Sequence, residues 1–473
     1  MALRPQARDS SKYLSDDTIV AISSAVGGAI ALVRLSGPRA FEILASLTDG
    51  RRPGFSARAE PRKFYRARLH HRQDLDDAMF VRFAAPASFT GEDVVELYLH
   101  GGGYVASRVL EATIALGARQ ALPGEFSFRA VRNGKLTLSQ AAAVADLIAA
   151  ANDNAVSLAL EKLSGTQNRL IHSLAQDLRT LAALGEIGID FSDQDVDEVS
   201  LPRLKTRLGP LTETLLRLKN SYQRGIRIQE GISVAFVGLP NAGKSSFFNA
   251  LLGEDRSIVS DIPGTTRDVV HERLTLRDGD QAVTLRLEDT AGLRSTEDQI
   301  EQIGISRSEK SARTADLILF IIDPGSPPEQ ILTQWRNLRC PASKTIAVIT
   351  KADLYDGTQR AAVRLTLNSL QISQWIEVSS MNGAGIEMAV RSIVQASSQL
   401  TQRERGEVLL TRLDQLSAVN QALEHLERAA KAQEIELFAA DIRQALHGLA
   451  PLIGETPTDD ILGQIFSEFC IGK

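Results

Sequence analysis

Gly238-Leu239-Pro240-Asn241-Ala242-Gly243-Lys244-Ser245 decides the fold of the central part of this chain, because it follows the apolar run Val234-Ala235-Phe236-Val237 and opens a helical run from Ser246 to Leu252. A glycine-rich turn between a strand and a helix is the context a phosphate-binding loop requires. Its glycines let backbone N–H groups close on phosphate oxygens, and the helix N-terminus adds a favourable dipole. Lys244 supplies positive charge to the β and γ phosphates, and the Ser245 hydroxyl is placed for Mg²⁺. Asn241, Ala242, Gly243 and Ser246 complete the cradle.

Working outward, strand-like runs at 233–237, 283–288, 317–323, 345–350 and 375–378 alternate with helical stretches. That alternation predicts a mostly parallel, doubly wound sheet, whose ligands lie at the carboxyl ends of its strands. Three further motifs follow in the order a GTP-hydrolysing switch domain needs. Asp261-Ile262-Pro263-Gly264-Thr265-Thr266 reads as a first switch loop, with Thr266 completing the Mg²⁺ shell. Asp289-Thr290-Ala291-Gly292 follows a strand; Asp289 would hold the metal through water and the Gly292 N–H would meet the γ-phosphate. Thr350-Lys351-Ala352-Asp353 follows another, and Asp353 can accept from both N1–H and the exocyclic amine of guanine, a pair that adenine lacks. Thr350 stands where that motif usually has Asn; its shorter hydroxyl can still tie the loop to the phosphate loop, which predicts GTP specificity with weaker base binding. Ser379, Ser380 and Met381 would present a backbone N–H to the guanine oxygen. Leu293 follows Gly292, so the water-orienting Gln of Ras-like proteins is missing and another group must orient water.

At 473 residues the chain is too long for one core and suggests about three domains. Residues 1–16 read as a disordered polar leader. Residues 17–132 alternate short apolar runs with helices and predict a compact α/β domain. Helical periodicity at 133–230 and again at 396–473, where Leu413, Leu416, Val419, Leu423 and Leu426 share a face, predicts one helical domain split by an insertion at 231–395. The fold class is therefore α/β and α multidomain, with a Ras-like phosphate-loop G domain inserted into a discontinuous helical domain. A net charge of -5 means that any nucleic-acid contact needs a local basic patch. Two cysteines without metal-ligand spacing fit a reducing, cytoplasmic setting, and no apolar run reaches the ~18 residues of a membrane span.

These motifs stand with Gly304 and Ile305, with Asp17-Thr18-Ile19-Val20-Ala21, Val33-Arg34-Leu35-Ser36-Gly37, Phe89-Thr90-Gly91-Glu92-Asp93 and Pro123-Gly124-Glu125-Phe126-Ser127, and with the pentapeptide Phe469-Cys470-Ile471-Gly472-Lys473. Together they resemble the tRNA uridine-5-carboxymethylaminomethyl modification GTPase family, MnmE (TrmE), from about Asp17 to Lys473. The resemblance implies that residues 17–132 bind a tetrahydrofolate derivative, 5-formyl- or methylene-tetrahydrofolate, and form a homodimer. It implies an FAD-containing partner of the MnmG (GidA) type, in a heterotetramer, and transfer of an aminomethyl-type group to C5 of the wobble uridine of certain tRNAs. Folate contacts would fall on Arg34, Glu96, Lys135 and Lys473. A K⁺ ion beside the phosphates would be held by Asn241, Ser260, Ile262 and Thr265, doing the work of an arginine finger. Glu301 would be the catalytic, water-positioning carboxylate. The alternative is a GTP-gated interaction protein such as a ribosome-assembly factor, which has no need of a folate.

Overall fold

The structure, a computed structural model, describes residues 13, 15–48, 54–190, 200–253, 258–259, 273–287, 311–404, 406–453 and 472. These fall into two compact units, one within 1–145, 162–172 and 450–473, the other within 146–161 and 173–449.

The first unit is built on a six-stranded sheet. In chain order its strands are β1 (Ile19–Ile22), β2 (Ile30–Ser36), β3 (Tyr65–His71), β4 (Gln73–Phe83), β5 (Val94–His100) and β6 (Arg119–Gln120), in the spatial order β3-β4-β5-β2-β1-β6. Neighbours are antiparallel except β1 and β6. Period-two alternation in β2 sends Ala31, Val33 and Leu35 into a core with Ile43, Leu44 and Leu47 of the helix Ala40–Thr48 and Val109 of the helix Gly103–Ala115. The other face of β2 carries Arg34 and Ser36. There the helix Glu125–Arg132 packs Phe126 against Ile19 and Ala21.

Tyr13 departs from the expected polar leader. It is buried, packs against Phe128 at 5.3 Å between ring centroids and donates its hydroxyl to the Pro123 carbonyl at 3.0 Å. An aromatic ring with a polar tip gains from such a site even when its sequence neighbours are polar.

In the second unit a seven-stranded sheet comprises β7 (Ile232–Gly238), β8 (Ile258–Val259), β9 (Arg273–Asp278), β10 (Gln281–Leu287), β11 (Leu317–Ile322), β12 (Thr345–Ile349) and β13 (Trp375–Glu377), in the order β13-β12-β11-β7-β10-β9-β8. Five strands are mutually parallel; β9 and β8 extend the sheet antiparallel. The centre is buried on both faces, as a doubly wound sheet requires. Val234 and Phe236 of β7 face the helices Lys244–Leu252 and Ile386–Thr401, while Ala235 and Val237 face the side of Pro328–Leu338 and Gly357–Ser369.

The helices Leu138–Ala149, Asp153–Leu163, Thr166–Asp190 and Leu201–Glu230 precede the second sheet, and Leu413–Lys431 and Ile435–Ile453 follow it. Helix Leu201–Glu230 packs along Leu413–Lys431. The buried stripe of the latter is Ala418, Val419, Ala422, Leu423, Leu426 and Ala429; Leu413, expected on it, is exposed. Leu413 opens the helix, where no preceding turn extends the packed face. No helix of the described residues is long and apolar enough to cross a membrane.

Candidate functional site

The turn from β7 into the helix Lys244–Leu252 is made by two left-handed residues, Asn241 at φ 57° and Gly243 at φ 92°. A Cβ on Gly243 would sit 3.3 Å from the Thr350 hydroxyl, so the position requires glycine for conformation and nearly for space. The first N–H groups of a helix have no partner inside it, and here they open onto this turn. The Lys244 ammonium folds back to donate to the carbonyls of Gly238 at 3.1 Å and Leu239 at 2.9 Å. Ser245 and Ser246 occupy the first helical turn. This is a cradle for an anion: turned N–H groups, one cation and no carboxylate among its own residues.

The base-recognition candidates come to the same edge of the sheet. Thr350, just beyond β12, donates its hydroxyl to the Ala242 carbonyl at 2.6 Å, also lies 3.1 Å from the Ile322 carbonyl, and is buried. The shorter side chain thus makes the tie to the phosphate loop expected of it. Lys351 takes a left-handed backbone, φ 52°, and its ammonium pairs with Asp323 at 2.7 Å. Asp353 is exposed in the following turn. The Ala352 N–H bonds the Val378 carbonyl at 3.1 Å, which brings the loop alongside Ser379, Ser380 and Met381. Met381 is strongly exposed, while Ser379 is buried.

On the N-terminal sheet, Arg34 and Glu96 are direct cross-strand partners on β2 and β5. They pair with each other, Nε to Oε1 at 2.9 Å, and the Tyr98 hydroxyl donates to the second Glu96 oxygen at 2.8 Å. Burial and that hydrogen bond push the Tyr98 phenol up to about 12, which keeps it a donor. The Arg34 guanidinium lies 5.8 Å from the ring centres of both Phe89 and Phe126. Lys135 is exposed, its stem lying against Gly91. Gly472 is buried against the end of β1: its carbonyl accepts from the Ser23 hydroxyl at 2.9 Å. A Cβ there would meet the Ile22 carbonyl at 2.6 Å, and φ is 100°. Ser260, Asp261, Ile262, Pro263, Gly264, Thr265, Thr266, Asp289, Thr290, Ala291, Gly292, Glu301 and Lys473 lie outside the described residues.

Family models match both parts of this architecture. The N-terminus of the GTP-binding protein TrmE matches residues 18–135, and the MnmE helical domain matches residues 138–470. Curated tRNA modification GTPases MnmE align along nearly the whole chain. That of Azoarcus sp. is 40% identical over 97% of this chain and 98% of its own length. That of Desulfitobacterium hafniense is 37% identical over 97% and 100%, and that of Thermotoga maritima 35% over 97% and 100%. The chain belongs to the MnmE family. It is a GTPase acting in tRNA modification.

Two groups of residues in this architecture were not legible in the sequence. Asp323, one residue past β11, accepts from Lys351 and from the Gly325 N–H at 2.9 Å. Arg129, fully buried, pairs with Asp17 at 2.8 Å, Glu92 at 3.0 Å and Glu125 at 3.1 Å, and donates to the Asp17 carbonyl at 2.7 Å. Arg119 bridges Asp17 and Glu125 from the other side, at 2.6 and 2.7 Å. This network anchors the helix that places Phe126 beneath Arg34. An acid directly after Pro123-Gly124, at the start of a helix, was the available signal, since Glu125 and Arg129 stand four apart on one face.

Proposed function

We propose that this chain binds GTP across the edge formed by Gly238–Ser245, Lys351–Asp353 and Ser379–Met381. We further propose that its hydrolysis drives addition of an aminomethyl-type group to C5 of the wobble uridine of tRNA. The observation that carries the first half is the Thr350 hydroxyl on the Ala242 carbonyl, which locks the base loop to the phosphate loop at 2.6 Å. Lys244 and the first-turn N–H groups would hold the phosphates, Asp353 the guanine, and the Ser245 and Thr266 hydroxyls Mg²⁺, with Asp289 reaching it through water. Mg²⁺ would neutralise charge on the β and γ phosphates when bound. Glu301 would orient the attacking water.

The second half rests on the N-terminal sheet. Its residues fit an aromatic ligand that carries amide groups and an acidic tail: Arg34 and Lys135 supply cations, Glu96 an acceptor held by Tyr98, and Phe89 and Phe126 apolar walls. We assign a tetrahydrofolate one-carbon donor to this face, with Lys473, the residue after the buried Gly472, as a further contact in the reading. A homodimer, an FAD-containing partner and a cytoplasmic site of action complete the reading. Removing the chain from cells should abolish the wobble-uridine modification, measured by mass spectrometry of tRNA nucleosides. Wobble uridines still fully modified would sink the assignment.

Two outcomes follow for the ions and the tail. With Asn241 in the turn and no arginine finger in the reading, GTP hydrolysis should be stimulated at least about tenfold by K⁺ over Na⁺ at matched ionic strength. Equal rates would remove the ion. Gly472→Ala should undock the tail, since its Cβ would collide with the Ile22 carbonyl. Folate affinity and tRNA modification should fall several-fold or more while GTP hydrolysis is retained; full modification by the variant would separate the tail from the folate face.

A further inference from the structure

Four adjacent parallel strands, in the order β7-β11-β12-β13, point their carboxyl ends at the proposed nucleotide edge. Three of them lead into the phosphate loop, the Thr350–Asp353 loop and the Ser379–Met381 turn. The fourth, β11, lies between the first two and has no assigned part. Its last residue, Ile322, is the register partner of Ile349 on β12, and Ile321 is that of Gly238 on β7. The residue that follows is Asp323.

The Asp323 side chain is held from three directions. Its Oδ1 accepts the Gly325 N–H at 2.9 Å, its Oδ2 accepts the Lys351 ammonium at 2.7 Å, and the Tyr355 hydroxyl lies on its remaining side. It is mostly buried, at 15% exposure, whereas Lys351 is at 34%. Burial alone would raise the Asp323 carboxyl, yet Lys351, Gly325 and Tyr355 outweigh it and hold the group below its ordinary value. The acid is therefore charged across the neutral range. Lys351 stands between Thr350, fixed to Ala242, and Asp353, the guanine acceptor, and its backbone is left-handed, a conformation that a non-glycine residue adopts at a cost.

We propose that Asp323 is a positioning residue of the nucleotide site, holding the Lys351 ammonium so that the guanine-recognition loop is arranged before the base arrives. Asp323 touches no part of the nucleotide in this scheme; it acts through Lys351, with Tyr355 and Gly325 fixing its own orientation. The ion pair joins the end of β11 to the loop after β12, and the Thr350 hydroxyl joins that loop to the phosphate loop. The base loop is thereby clamped at two successive residues. Such prearrangement raises affinity for any nucleotide carrying guanine, whatever its phosphate count, because the cost of ordering the loop is met in the free protein.

The inference rests on the nucleotide reading above, and two sets of variants of the full chain separate them. Dissociation constants for GDP and GTP, by competition with a fluorescent guanine nucleotide, and kcat at saturating GTP are the readouts. Asp323→Ala should weaken GDP and GTP alike by about tenfold, the scale of losing one charge-assisted contact, with a smaller change in kcat. Tyr355→Phe should weaken both by about threefold. In a double-mutant cycle, Lys351→Ala combined with Asp323→Ala should bind no worse than Lys351→Ala alone, because Asp323 acts only through that lysine. A merely structural role would lower thermal stability but leave the two losses multiplicative. Asp323→Asn keeps an acceptor for Gly325 and Tyr355, and it carries the test should the alanine variant not fold. Unchanged affinity in Asp323→Asn, or multiplicative losses in the cycle, overturns the proposal. If Asp353→Asn fails to alter base preference, the nucleotide reading itself has failed; if Asp353→Asn behaves as expected while Asp323 variants bind normally, only the role of Asp323 falls.

Discussion

Asp353→Asn should exchange guanine for xanthine as the preferred base. In the proposed site the Asp353 carboxylate offers two acceptors to guanine N1–H and the exocyclic amine. An amide in its place presents one donor and one acceptor, which matches xanthine N1–H and its 2-carbonyl. GTP affinity should fall by about a hundredfold, as expected when a charge-assisted pair of hydrogen bonds is replaced by a mismatched one. Xanthosine triphosphate should then support hydrolysis at a rate near that of the parent with GTP. The Thr350 tie and the Ala352 to Val378 hydrogen bond involve neither carboxylate oxygen, so the loop should keep its shape. Competition binding with the two triphosphates checks this, and unchanged GTP affinity would place base recognition elsewhere.

The parts of this site that could be read in the sequence are those whose chemistry is local. A phosphate loop is a run of eight residues between a strand and a helix, and each of its roles follows from a residue type and a spacing. The same holds for Thr350 to Asp353, including the substitution of Thr for Asn, whose consequence could be judged from hydroxyl reach alone. Asp323 was not legible, because its part depends on β11 lying beside β12. That adjacency is a property of sheet order, and no local pattern at Asp323-Pro324-Gly325 distinguishes it from an ordinary turn.

Strand β9 shows a second reason. Arg273-Leu274-Thr275-Leu276-Arg277-Asp278 alternates as a strand should, with Leu274 and Leu276 buried, but charged residues at both ends mask the run. Thr275 is buried as well, against Thr284 of β10 at 3.3 Å between hydroxyls, so the usual polar-out rule fails there. The family resemblance makes Arg34 and Glu96 separate ligand contacts, whereas the register of β2 and β5 sets them directly opposite. Their mutual pairing is a consequence of strand pairing, which the two isolated sequence stretches do not contain.

Arg129 is the strongest case of a residue hidden from sequence reading, since arginine is ordinarily a surface residue. Removing it should also give the largest loss of stability. Glu125 is fully buried and Glu92 mostly so, and without Arg129 each keeps only a more exposed cation, Arg119 for Glu125 and Arg132 for Glu92. Removing one partner from a buried ion pair costs about 3–5 kcal/mol. Arg129→Ala should therefore speed amide exchange in β1 and β2 by roughly a hundredfold or more. The two tryptophans, Trp335 and Trp375, both belong to the second unit, so a heat or urea transition followed by their fluorescence is the internal control and should move little.

Acid should act on the same network. Partial burial would raise the Asp17 carboxyl, but hydrogen bonds from Arg119, Ser15 and Arg129 hold it at about 2, against an ordinary value of 3.8. A depressed carboxylate contributes stability in full above its unfolded value, and loses it as pH falls from near 4 toward 2. Exchange in β1 should accelerate over that window in the parent and less so in Arg129→Ala, where part of the depression is already gone. Neutralising Glu125 supplies the remaining arm: Arg129→Met with Glu125→Gln should recover part of the loss, because an apolar side chain then faces an uncharged partner. If Arg129→Ala leaves exchange in β1 and β2 unchanged, the buried guanidinium is not what fixes the helix beneath Arg34.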